Sequence, residues 1–110
     1  MTTCIQVLTT TETQAQAQTI AEALVEKRLA ACVQVIGPIT STYWWQDAIE
    51  ITEEWLCLIK SKQNLYEALE ETIIALHPYD TPEILATPVA AGSQRYLAWL
   101  NMEVKHPGTE

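Results

Sequence analysis

The stretch from Cys32 to Gln46, "CVQVIGPITSTYWWQ", has no helical period, and it limits the possible folds more than any other part of the chain. Val33 and Val35 alternate with Gln34, and Tyr43, Trp44 and Trp45 add high strand propensity. Gly37-Pro38 inside it reads as a bulge or bend. A turn near Gln46–Ala48 leads back into "IEITEEWLCLIKSK", Ile49 to Lys62. There Ile49 and Ile51 alternate with Glu50 and Thr52, before an apolar run, "WLCLI", that suits a central strand. About fifteen extended residues span about 50 Å, whereas a domain of 110 residues has a diameter of roughly 34 Å. Such a hairpin must overhang its own core or bend sharply.

The flanking segments complete a topology. "CIQVLTT" (Cys4–Thr10) reads as a strand, and "TETQ" (Thr11–Gln14) as a capping box opening a helix. Ala17, Ile20, Ala21, Leu24 and Val25 form the apolar face of that helix, which runs to about Ala30. Asn64 with Glu67 makes a second capping box, and Leu65, Leu69, Ile73 and Leu76 continue as a stripe until Pro78 stops it. "EILATPV" is a fourth strand ended by Pro88, and Ser93 caps a last helix burying Tyr96, Leu97 and Leu100. The order is an α+β, ferredoxin-like β-α-β-β-α-β sandwich with a long hairpin between its second and third strands and a C-terminal helix. Its first and third strands are then the inner pair, and "CIQVL" and "WLCLI" are the segments lacking a polar face. Residues 1–110 make a single domain.

Composition removes several functions. Fourteen acidic residues against six basic give a formal charge of −8, which repels nucleic acid and anionic membranes. No apolar run is long enough to span a bilayer, and "MTTCIQVLTT" lacks the pattern of a secretory signal. The expectation is a soluble, cytosolic protein. Cys4, Cys32 and Cys57 are too widely spaced for a zinc knuckle or disulfide framework, and Cys4 and Cys57 read as small buried hydrophobes. No nucleophile elbow, zinc-protease helix or phosphate-cradling loop is present, so an enzyme is not expected. Tyr43, Trp44 and Trp45 at the overhang point to self-association; the alternative puts the two tryptophans on opposite sheet faces, one over each helix layer.

"LHPYDTPEIL" (Leu76–Leu85) is the most loaded corner. Pro78 and Pro82 stiffen a short loop that presents Tyr79 and Asp80. His77 and nearby acids suit a metal or a polar ligand, and equally a proline-braced connection with His77 at a helix end. Together with "KRLAACVQVI" (Lys27–Ile36), "STYWWQDAIE" (Ser41–Glu50), "LIKSK" (Leu58–Lys62) and "YLAWL" (Tyr96–Leu100), this motif resembles the CutA family of divalent-cation tolerance proteins.

That resemblance implies a tight homotrimer with hairpins pairing across subunits, an architecture similar to PII-type signalling proteins. It implies tolerance to copper and other divalent cations, with Cys32 of "AAC" and His77 of "HPY" as metal ligands. No cofactor is required; a divalent cation or copper is the expected ion. Thr9 and Thr72 stand where some relatives carry further thiols, Leu76 where some carry a second histidine, and Asp47-Ala48 where a glycine is common. The other functional expectation is a PII-like sensor with a small anionic ligand in an intersubunit cleft. Lys60 would then supply the charge, Trp45 and Tyr79 contacts, and Glu83 would orient Lys60. A further reading makes the trimer a scaffold for a partner protein.

Overall fold

The long extended segment and its return pair over nearly their full length. In a computed structural model, which describes residues 2–106, the elements are β1 (Cys4–Thr11), α1 (Gln14–Glu26), β2 (Cys32–Trp45), β3 (Ala48–Lys62), α2 (Tyr66–Leu76), β4 (Leu85–Pro88) and α3 (Gln94–Glu103). The four strands form one antiparallel sheet in the order β2-β3-β1-β4, with β1 and β3 inside, so the ferredoxin-like arrangement is present. β2 and β3 stay in register from Cys32↔Lys60 to Trp45↔Ala48, apart from one shift between Ile36 and Ile39. The bulge falls at Gly37-Pro38, a cis peptide, as the sequence suggested. A Cβ on Gly37 would come within 2.4 Å of the Trp55 ring, so only glycine lets β2 cross that indole. The molecule measures 44 × 28 × 22 Å, its long axis close to the roughly 46 Å of a straight fourteen-residue strand.

Local signals were displaced in places. The first capping box starts at Thr13, not Thr11: Thr13 Oγ1 accepts from the Gln16 amide, and the Gln16 side chain accepts from the Thr13 amide, each at 3.2 Å. "TETQAQ" contains two overlapping Thr-x-x-Gln frames, and Thr11 is already committed to β1. α1 stops at Glu26 rather than Ala30, because Arg28 takes a left-handed φ of 60° and turns the chain. Leu29 and Ala30 still reach the core, held by their amides on the Leu24 carbonyl. The Asn64–Glu67 box does not form; a 3₁₀ turn at Gln63–Leu65 leads into α2, and Glu67 instead favours the positive helix end. β4 is shorter than "EILATPV" suggested. Ser93 caps α3 as expected, but only Leu100 is buried there; Leu97 is half-buried and Tyr96 lies exposed beside Trp99.

The core lies between one sheet face and the helices: Val7, Cys57 and Ile59 pack with Ile20, Leu24, Leu69 and Ile73. Cys4 and Cys57 are buried thiols, and burial pushes the Cys57 thiol up to about 11. The other face is also apolar, with Leu8 beside Leu58 and Ile36 beside Leu56 in register, yet these side chains are only half-buried or exposed.

Candidate functional site

The bulge decides which hairpin residues meet the loop after α2. Beyond it, Ile39 pairs with Glu54, Ser41 with Thr52, Tyr43 with Glu50 and Trp45 with Ala48, so these side chains share the face that carries no core. Trp44 pairs with Ile49 on the opposite face. The two tryptophans therefore do lie on opposite faces, but neither covers a helix layer: Trp44 is 72 % and Trp45 52 % exposed.

Loop 77–84 comes to the first of these faces, and His77 anchors it. Pro78 pushes His77 out of helical geometry (ψ 133°), which turns the imidazole toward the end of β1. Nε2 lies 2.7 Å from the Thr10 carbonyl, so it carries the proton and donates; Nδ1 accepts from the Tyr79 amide at 3.2 Å. Both ring nitrogens are thus engaged, and the ring centroid lies 4.7 Å from that of Tyr79 with the planes tilted by 56°. Tyr79 in turn donates its hydroxyl to Glu54 Oε2 at 2.8 Å. Burial, the bond to Glu54 and the charge of Glu54 hold the Tyr79 phenol well above its ordinary range, so it remains a donor at neutral pH.

Between loop and hairpin lies a cleft of about 760 Å³. Tyr43 and Trp45 form its aromatic wall, Trp44 borders it from the other face of the strand, and Tyr79 lines it from the loop. Glu50 and Glu54 line it from β3, Asp80 and Glu83 from the loop, and Thr10, Ser41 and Thr81 add hydroxyls. Among the described residues no lysine, arginine or histidine lines it. Such a surface is rich in acceptors and attracts positive charge; to a phosphate or carboxylate it offers hydroxyl and indole donors but no cationic partner.

The expected site residues are only partly brought together. Trp45, Tyr79 and Glu83 line the cleft. Lys60 does not: its ammonium donates to Gln34 at 2.8 Å, and among the described residues no ion pair joins it to Glu83. Cys32 sits opposite Lys60 on β2, while His77 holds Thr10, opposite Leu56. Four residues of β3, roughly 13 Å, separate those positions, so one subunit does not bring Cys32 and His77 together. Glu50 and Glu54 were missed. Their signal was the even spacing of Glu50, Thr52 and Glu54, which puts both acids on the face of Tyr43 and Trp45.

Comparison with known proteins adds the ancestry. A sequence profile described as CutA1 divalent ion tolerance protein matches residues 5–103. The divalent-cation tolerance protein CutA of Thermus thermophilus is 47% identical over 94 residues, which cover 86% of this chain and 91% of that protein. The mouse Protein CutA is longer; 45% identity over 96 residues covers 84% of this chain and 54% of the mouse protein. Among solved structures, CutA from Xylella fastidiosa superposes with a TM-score of 0.92 at 38% identity, covering 94% of this chain and all of that one (100%).

Proposed function

Because the chain belongs to the CutA1 divalent ion tolerance family, we propose that it acts as a cytoplasmic homotrimer in tolerance of, and response to, divalent cations, copper included. It does so by weak, non-catalytic cation binding. The observation that carries this reading is the cleft itself, lined by Glu50, Glu54, Asp80 and Glu83 with no basic side chain among the described residues of its walls. Carboxylates spread over a wide cleft hold hydrated divalent ions loosely, and hard cations prefer such oxygen donors. Copper ligation by Cys32 and His77 meets an obstacle at the imidazole. Either nitrogen must first give up its bond to Thr10 or to the Tyr79 amide.

The trimer is supported by the apolar sheet face at Leu8, Ile36, Leu56 and Leu58 and by the aromatic overhang of Tyr43, Trp44 and Trp45. Surfaces of this kind are normally covered by another chain. Three thiols without disulfides suit a reducing compartment.

Native mass spectrometry of freshly purified protein tests both halves. The expected spectrum shows three chains together, retaining divalent ions that the Glu50→Gln and Glu54→Gln variants lose. Single chains, or retention indifferent to those substitutions, would contradict the proposal. Copper titration of Cys32→Ser and His77→Ala, unchanged in both, would remove that pair as ligands.

A further inference from the structure

We propose that the cleft binds a linear polyamine: two or more protonated amines joined by short methylene chains. The inference rests on the cation-selective cleft above and goes beyond inorganic ions. Its starting point is the spacing of the acids. Glu50 and Glu54 lie on one face of a continuous strand, four residues or roughly 13 Å apart. A metal ion needs its oxygen ligands at about 2.0–2.6 Å. Among the described residues, no three His, Cys, Asp or Glu side chains converge that way. Carboxylates this far apart suit an elongated cation that reaches them one after another.

The walls fit the rest of such a molecule. Trp45 and Tyr43 line the cleft, and aromatic rings are surfaces on which methylenes pack and to whose faces ammonium groups are attracted. The Ser41 and Thr81 hydroxyls accept further N–H bonds.

Glu54 is the second, independent observation. It is only 7 % exposed, lines the cleft, and receives a single hydrogen bond, from Tyr79, to Oε2. Among the described residues no cation pairs with it and no donor reaches Oε1. A carboxylate removed from water normally has a positive partner. Oε1 keeps access to the cleft, and an ammonium group there supplies the charge and a donor to it. Tyr43 and Trp45 also belong to the proposed subunit contact, so the ligand would sit where the hairpin meets its neighbour.

The test is calorimetry with tryptophan fluorescence on the full chain in its native assembly, at about 0.15 M salt to screen bulk charge. Spermidine is the probe, with butylamine and Mg²⁺ as comparators. Saturable spermidine binding is expected, roughly tenfold or more tighter than butylamine. Glu50→Gln and Trp45→Leu should each weaken it roughly fivefold. Glu71→Gln makes the same charge change on the exposed surface of α2 and should leave it unaltered. Glu50 and Glu71 are both exposed, so neither substitution threatens folding.

Equal weakening by Glu50→Gln and Glu71→Gln would mean attraction to net charge only and would overturn the proposal. So would parity of spermidine with butylamine, or no saturation. If Mg²⁺ saturates the cleft and responds to Glu50→Gln while spermidine does not, the polyamine falls and the cation reading stands; if neither binds, both fall.

Discussion

The Tyr79 hydroxyl reaches Glu54 Oε2 at 2.8 Å and so ties loop 77–84 to the middle of β3 across the mouth of the cleft. The bond is the only hydrogen bond to that carboxylate among the described residues, and the carboxylate is almost wholly buried. Tyr79→Phe keeps the ring and leaves the acid without its donor. The substitution should lower unfolding free energy by about 1–3 kcal/mol, measured by urea titration. A loss under a few tenths of a kcal/mol would mean that water serves Glu54 equally well.

Thr9 carries the reverse lesson. Its side chain is fully buried, and among the described residues Oγ1 has no hydrogen-bond partner. Thr9→Val keeps the shape and removes the stranded hydroxyl, so it should stabilise the fold by about 1 kcal/mol. A higher denaturation midpoint at unchanged slope is the expected readout. Destabilisation would show that the hydroxyl has a partner in solution.

At the hairpin tip Gln46 and Asp47 both have positive φ, 49° and 65°, with Trp45 paired to Ala48. This is the two-residue type I′ geometry that Asn-Gly fits best. The absence of a glycine does not change the turn; it leaves strain in it. Gln46→Asn combined with Asp47→Gly should raise stability by about 1–2 kcal/mol, read as a rise in thermal midpoint.

Cys57 sets an alkaline limit. Its thiol is held near 11 in the fold by burial, above its ordinary value of 9.0. A raised folded-state value means that the unfolded chain ionises first. The stabilising contribution is therefore complete below pH 9 and is lost as pH climbs toward 11. Tyr79, also raised, extends the loss above about pH 10. Urea midpoints should fall across this range, and Cys57→Ala, less stable at neutral pH, should fall less steeply between pH 9 and 11.

Legibility in the sequence followed the strength of periodic signals. Strand alternation and the apolar stripes of α1 and α2 fixed the topology, since each repeats over many residues. Helix ends rested on single side chains. The duplicated Thr-x-x-Gln and the left-handed Arg28 show how a neighbouring strand or one φ angle moves such a boundary. Trp45, Tyr79 and Glu83 line the single-chain cleft because the hairpin and the proline-braced loop border it. Lys60 lies outside the single-chain cleft, and sequence order does not reveal that Gln34, its cross-strand diagonal neighbour, takes the ammonium. Glu54 was missed because an acid among acids looks solvated until its burial is seen.

The central claim is that the cleft selects positive over negative ligands. Its most direct test is tryptophan fluorescence of the native assembly, titrated in parallel with a divalent cation and a divalent anion, Mn²⁺ and sulfate, at about 0.15 M salt. A saturable response to Mn²⁺, weakened in Glu50→Gln, with none to sulfate, is the predicted result. Saturation by sulfate, or a Mn²⁺ response untouched by Glu50→Gln, would contradict it.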